Sequence, residues 1–340
     1  MKEAVLYSRG QDNSVICHLC SHGCRIKESG RGICKVRENR KGRLFSLVYG
    51  QLVAEHIDPI EKKPLFHFLP GSLSYSISTV GCNFFCKHCQ NFTISQYPHM
   101  HGGTIEGHAR RPEDVVAAAV QAGCASISYT YVEPTIFYEF ARDCMVLAHK
   151  QGLANIFVSN GYMSQECTHD MAPLLDGINI DIKAFTDNFY RDICKARLQP
   201  VLDTVRLMKK LGVWVETTTL IIPGLNDSEA ELRDLAAFIH SISPEIPWHV
   251  TAFRPTYKLI DRGPTPVSSL RLARRTGRET GLQYVYEGNI PGEGGENTCC
   301  PNCGNELINR FGFSIRKNRV TNGTCPDCGA LLAGVWHSPR

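Results

Sequence analysis

The chain has no long hydrophobic run. No stretch approaches the roughly eighteen uninterrupted apolar residues of a membrane span, and residues 1–14 show none of the apolar core of a secretory signal. A soluble, cytoplasmic protein with no membrane partner is the expectation. Charge of one sign is also scarce: 37 Lys and Arg against 33 Asp and Glu leave a formal +4 over 340 residues, short of the clustered charge that would by itself argue for nucleic acid. With 43% hydrophobic and 21% charged residues, the composition excludes a disordered chain. Cysteine, by contrast, is abundant at sixteen residues, and in a reducing compartment such a number points to metal or redox chemistry instead of a disulfide scaffold.

The cysteines fall into groups. Cys17, Cys20, Cys24 and Cys34 stand near the start, Cys82, Cys86 and Cys89 further in, and Cys299, Cys300, Cys303, Cys325 and Cys328 near the end. Cys124, Cys144, Cys167 and Cys194 are scattered singly in periodic segments, where a thiol behaves as a small hydrophobe.

Between the outer groups, β-rich runs alternate with amphipathic windows, the pattern of successive strand and helix units on a parallel sheet. Strands are expected over Leu73–Thr79, Ala125–Thr130, Asn155–Val158, Gly177–Ile182, Trp214–Ile221 and Trp248–Ala252. Helices are expected over Pro112–Ala122, Thr135–His149, Met171–Leu175, Leu202–Leu211, Ser228–Ile239 and Pro266–Thr280. Six such repeats suit a partial (β/α)6 TIM-like barrel within an α/β fold, and an open doubly wound sheet satisfies the same pattern. In either architecture chemistry belongs beyond the carboxyl ends of the strands. Residues 1–44 and 291–340, rich in Cys and Gly, cannot build a core unaided and read as small metal modules flanking a core over 45–290.

The central triplet spaces its thiolates as C-x3-C-x2-C. Three cysteines leave one iron of a 4Fe-4S cluster without a protein ligand, whereas electron-carrying clusters are held by four; the competing arrangement is a zinc site with a remote fourth ligand. At the C-terminus, Cys300-Pro-Asn-Cys303-Gly and Cys325-Pro-Asp-Cys328-Gly form two matching knuckles of a zinc ribbon, with Cys299 spare. The N-terminal Cys17, Cys20, Cys24 and Cys34, with His18 and His22 as alternative ligands, close on themselves as a four-thiolate site for zinc or for a second Fe-S cluster.

C-x3-C-x2-C is the signature of the radical S-adenosylmethionine (SAM) superfamily, and Cys82-Asn83 through Cys89-Gln90-Asn91 resembles the branch of the pyruvate formate-lyase activating enzymes. Asp58 to Leu65, Tyr129 to Thr135, Ser159-Asn160-Gly161, Ile222 to Asp227, Pro247 to Val250 and Tyr286 to Asn289 resemble the radical SAM member of the AmmeMemoRadiSam system. The resemblance implies a radical SAM barrel carrying a 4Fe-4S cluster and SAM. It implies that His88 lies against the adenine, that Glu133 receives the SAM amino group, and that Asp181 and Lys183 serve SAM and its carboxylate. Ser159 and Asn160 match an Asp-Thr-Asn-Gly element whose leading acid is Val158 here. His249, Glu216 and Arg254 are the catalytic candidates on the substrate side.

The expected reaction is reductive cleavage of SAM and hydrogen abstraction from a substrate in the barrel mouth. An electron donor such as flavodoxin or ferredoxin is implied, as are partner proteins of the AmmeMemoRadiSam system. Activation of a protein partner at a backbone glycine, modification of RNA and small-molecule chemistry remain open.

Overall fold

A computed structural model describes residues 1–338. Its centre is an eight-stranded sheet formed by β1 (Ala54–Pro59), β2 (Leu73–Ser78), β3 (Ser126–Tyr129), β4 (Ala154–Ser159), β5 (Gly177–Asp181), β6 (Trp214–Ile221), β7 (Trp248–Ala252) and β8 (Val285–Gly288). The strands lie side by side in chain order. From β2 to β8 each pairs in parallel with the next, while β1 runs antiparallel to β2 at the edge. β1 and β8 do not pair with each other, so the sheet is open.

Two edge strands exceed the six expected. β1 carries Glu55, His56 and Asp58, and β8 is four residues ending in Gly288, so neither shows the apolar alternation by which strands are recognised. The interior strands are legible because both their faces are covered: Ser126 to Tyr129 are all buried, as a parallel sheet between layers requires.

The crossovers are α1 (Pro112–Gln121), α2 (Tyr138–Lys150), α3 (Gln165–Met171), α4 (Gln199–Lys210), α5 (Glu229–Ile242) and α6 (Val267–Glu279). α1 begins on Pro112, whose missing N–H is no loss in a first turn. α3 starts at the Ser164 cap, whose hydroxyl accepts the Cys167 N–H, and is followed by a 3-10 turn over Ala172–Leu174. The expected Met171–Leu175 helix was therefore placed too late. Its polar Gln165, Glu166 and Asp170 hid the earlier start, and Pro173 marks where α geometry gives out. Among the described residues no helix is long and apolar enough to cross a membrane.

The N-terminal segment is part of the main core: Val15, Cys17, Leu19, Ile26 and Val36 pack with the sheet and helices. Its hairpin, Arg37–Arg40 with Arg43–Ser46, straddles residue 44. Arg37 enters the core and meets Glu139 of α2 in a two-pronged pair, Nη1 to Oε2 at 2.9 Å and Nη2 to Oε1 at 2.6 Å, with both side chains almost wholly buried. Such a pair contributes little over apolar packing, but loss of one partner strands a charge. Replacing Glu139 with Ala should therefore destabilise the protein by about 3–5 kcal/mol, read as a fall in the urea midpoint. An unchanged midpoint would show that the N-terminal segment is not held this way.

Candidate active site

Because β2 to β8 are parallel, their carboxyl ends share one edge, and the loops leaving it carry the singular residues. β2 leads through Gly81, at φ +98. A Cβ there would stand 2.5 Å from Val36 Cγ1 and 3.1 Å from the Cys34 carbonyl oxygen, so only glycine permits the chain to pass so close to the N-terminal segment. Cys82, Cys86 and Cys89 follow at once. Cys86 is buried and the other two partly so. Burial pushes the Cys82 and Cys89 thiols up, and contact with Cys194 together with burial does the same to Cys86. Thiols in such surroundings ionise only against a compensating cation, which a bound metal would supply.

One hydrogen-bonded network holds this loop to the neighbouring strand ends. The Glu133 carboxylate accepts Thr135 N at 3.1 Å, Ser159 Oγ at 2.8 Å and the Thr135 hydroxyl on Oε1, and Asn160 N at 2.7 Å on Oε2. Burial nevertheless raises its pKa. Asn160 Nδ2 donates to Asn83 Oδ1 at 2.8 Å, joining the end of β4 to the cysteine loop. Gly161, at φ +68, lies under Ile180, where a Cβ would come within 2.7 Å of Cγ2. Ser159 and Asn160 thus converge with Glu133, where they hold the carboxylate in place and leave only Oε2 with a free lone pair.

Lys183 Nζ donates to Asp181 at 2.9 Å. Burial opposes its charge, yet the Asp181 carboxylate holds it protonated well above the usual lysine range. A cation is thereby fixed beside a cysteine of the triplet. Asn226, in the loop after β6, donates to the Lys183 and Leu220 carbonyls, so the Pro-Gly-Leu-Asn run is a brace. His88 is buried with no partner for Nδ1. Burial and then Lys183 lower its pKa to about 3, which leaves a neutral ring 5.9 Å from that of Phe189.

Three further features escaped the sequence. Cys194 lies against Cys86 from a π-helical turn (Tyr190–Cys194), and a lone cysteine carries no signal of that. Asp58 accepts Lys63 Nζ at 2.6 Å, Lys62 Nζ at 2.9 Å, Ser76 Oγ at 2.8 Å and the Tyr131 hydroxyl. The Asp58 to Leu65 run and the Tyr131 to Pro134 run are therefore two halves of one buried cluster, which only a fold could join. The third is a cavity of about 350 Å³ beside the triplet, reached by Gln90 and lined by Phe66, His249, Arg254, Glu287 and, from the C-terminal module, Phe313.

The structure separates the substrate-side candidates. His249 and Arg254 line the cavity, with His249 stacked 5.2 Å from Tyr286. Glu216 does not. It accepts His249 Nε2 at 2.7 Å, Trp214 Nε1 at 3.0 Å and the N–H groups of Phe66 and His67. Although burial opposes ionisation, the hydrogen bond to His249 holds its pKa below the ordinary value. Glu216 is a positioning carboxylate near the amino end of β6, acting on the cavity through His249.

The C-terminal module is closed and docked. Cys300, Cys303, Cys325 and Cys328 form the one set among the described residues whose ligand atoms all lie within 4.8 Å of one another, with Cys300 to Cys328 at 3.6 Å and Cys303 to Cys325 at 3.7 Å. Each knuckle repeats the same bonds: Gly304 N to Cys300 O and Cys300 N to Asn305 O, then Gly329 N to Cys325 O and Cys325 N to Ala330 O. These sulfur spacings match the edge of a tetrahedron with metal–sulfur bonds near 2.3 Å. Arg310, buried, donates to Thr298 Oγ1 at 2.7 Å and to the Phe66 carbonyl at 2.9 Å, and His67 Nδ1 lies 2.7 Å from the Ala333 carbonyl.

The sequence profile of the Radical SAM superfamily matches residues 76–238. An uncharacterized protein of Methanocaldococcus jannaschii is 46% identical over 338 residues, 98% of this chain and 99% of that protein. In fold the chain is similar to SuiB of Streptococcus suis, solved bound to S-adenosylmethionine, at 12% identity and TM-score 0.51 over 67% of this chain; it spans 52% of SuiB. A domain of pyruvate-formate lyase-activating enzyme from Bacteroides vulgatus aligns at 16% identity and TM-score 0.44, over 48% of this chain and 99% of that one.

The neutral state of His67 gives a pH test. Burial lowers its pKa from 6.5 to about 4, so the unfolded chain binds the proton first. The stability this histidine permits is complete above pH 6.5 and is lost as pH falls toward 4. Acidification through that window should expose the C-terminal module to protease before the sheet unfolds. Equal protease resistance at both ends of the window would mean that His67 is not what docks the tail.

Proposed function

We propose that this chain, which belongs to the radical SAM superfamily, binds a 4Fe-4S cluster through Cys82, Cys86 and Cys89 and abstracts a hydrogen atom from a substrate group seated in the 350 Å³ cavity. The observation that carries this is the placement of a three-thiolate loop at the carboxyl edge of a parallel sheet, beside a cavity, with unpaired buried polar groups around it.

The residues fit both groups that the family implies. Three thiolates leave one iron open for SAM. The orphaned Nδ1 of neutral His88 suits the edge or face of an adenine, and Glu133 Oε2 retains a lone pair for an ammonium. Lys183, charged and half-buried beside Cys86, suits the SAM carboxylate with Asp181 steering it. When bound, the cluster and SAM supply a 5′-deoxyadenosyl radical by reductive cleavage.

The remaining work is positioning and exclusion of water. His249, fixed by Glu216 at 2.7 Å, and Arg254 present polar groups to the substrate, while Phe66 and Phe313 wall the cavity. Its volume lies in the range of small-molecule sites, and so suits a small molecule or one extruded residue of a larger one. Zinc in the C-terminal four-thiolate site would hold Phe313 over this cavity, making the ribbon a wall of the active site. A reduced flavodoxin or ferredoxin is the electron donor this chemistry needs. Partner proteins of the AmmeMemoRadiSam system are the partners that the motif resemblance favours.

The test compares two variants of the anaerobically reconstituted enzyme supplied with SAM and reductant. Cys86→Ala should lose the SAM-responsive cluster and all 5′-deoxyadenosine formation. Glu133→Gln should keep its iron and bind SAM more weakly by about 1.5–3 kcal/mol, roughly ten- to a hundredfold. Turnover by Cys86→Ala would overturn the cluster assignment, and unchanged SAM affinity in Glu133→Gln would overturn the role of its carboxylate. Mass spectrometry of the RNA, protein and small-molecule fractions of cells with and without the gene then assigns the substrate class.

A further inference from the structure

The N-terminal cysteines take no part in the site described so far, yet they are built into the protein more deeply than the C-terminal ones. Cys17 and Cys34 are buried, and Cys20 and Cys24 are half-buried, whereas Cys303 and Cys328 of the ribbon are exposed. The sulfurs of Cys24 and Cys34 flank Gly32, 3.9 and 3.8 Å from where its Cβ would stand. Cys17, Cys34 and Cys24 all lie near enough to act on the Cys20 thiol, so the four surround one locus.

Their spacing differs from that of the ribbon. Four sulfurs on one zinc form a tetrahedron of short edges, and the ribbon shows this at 3.6 and 3.7 Å. No three of the N-terminal sulfurs fall within 4.8 Å of one another, and neither do the three of the central loop. In a cubane cluster each thiolate binds its own iron, so the sulfurs stand apart around the core. The N-terminal four share the wider arrangement of the central triplet, with no corner left open.

Their position adds a use. The Cys34 carbonyl is against Gly81, the residue before Cys82. His22 Nε2 lies 2.8 Å from the Asn83 carbonyl, and His99, whose ring is 4.7 Å from that of Phe85, has its Nε2 3.0 Å from the Ile33 carbonyl. Cys20 pairs with Met163, just beyond Gly161. The N-terminal cysteine segments therefore touch the central loop directly at Gly81 and Asn83 and reach Phe85 through His99.

We propose that Cys17, Cys20, Cys24 and Cys34 hold a second 4Fe-4S cluster, and that it relays electrons to the central one. One electron leaves a reduced one-electron carrier of the flavodoxin or ferredoxin class, which is oxidised. The N-terminal cluster takes it up and gives it to the central cluster, and no bond or proton changes hands. The occupancy of the N-terminal site stands alone; only the relay rests on the central assignment.

The experiment uses the full chain, reconstituted anaerobically, with iron, sulfide and zinc counted and the reduced protein examined by electron paramagnetic resonance. Wild type should carry about eight irons and the Cys82→Ala, Cys86→Ala, Cys89→Ala variant about four, in a cluster whose signal SAM does not alter. Iron-free variant protein with a second zinc per chain would overturn the site. A wild type with only a SAM-insensitive signal would instead overturn the central reading and leave this one standing. In Cys20→Ser, Cys24→Ser protein, reduction of the central cluster by flavodoxin should slow by roughly an order of magnitude while dithionite still reduces it. Equal flavodoxin rates in variant and wild type would overturn the relay, and the dithionite arm shows that the variant has folded around its central site.

Discussion

The loop of three cysteines, a ligand set that would leave one iron of a four-iron cluster open, sets the terms for the rest of this molecule. A coordination position left open is useful only if water and stray ligands are kept from it, so the loop carrying the cysteines must be buried and yet face a space. The structure meets both demands by placing the loop at the carboxyl edge of an open parallel sheet and packing other chain segments around it. Gly81 lets the N-terminal segment approach to within contact. Asn160 and Asn83 tie the end of β4 to the loop, and Lys183 brings a half-buried positive charge to Cys86.

An open sheet must also be closed off by something else. On one side the N-terminal hairpins do this, anchored through Arg37 and Glu139. On the other, the C-terminal module lays Phe313 against the cavity and its tail along residues 67–69, with Val335 bonded to His67 and Leu69. Neither module has apolar content enough to hold its shape unaided; the ribbon core is little more than Cys300, Leu307, Ile308, Cys325 and Leu332. Metal binding would thus act at a distance from chemistry by fixing the walls within which chemistry occurs.

What the sequence reveals divides along physical lines. Buried parallel strands such as Gly177–Asp181 and Trp214–Ile221 are continuous runs with turn residues at their ends, and Cys-x-x-Cys knuckles carry their geometry in their spacing, so these were legible. β1 and β8, polar and at the edges, were not. Nor were relations between distant residues: that Glu216 serves His249 from within the sheet, that Asp58 and Tyr131 meet, or that Cys194 touches Cys86. A local pattern cannot encode which strands become neighbours in space, and these contacts depend on that alone.

The most direct measurement is electron–nuclear double resonance on the reduced protein with isotope-labelled SAM. Coupling between the cluster spin and the amino nitrogen and carboxylate oxygen of SAM is the predicted result, since the iron without a cysteine is the position left for it. A well-formed, SAM-saturated cluster with no such coupling would contradict the assignment of Cys82, Cys86 and Cys89 as an open three-thiolate site.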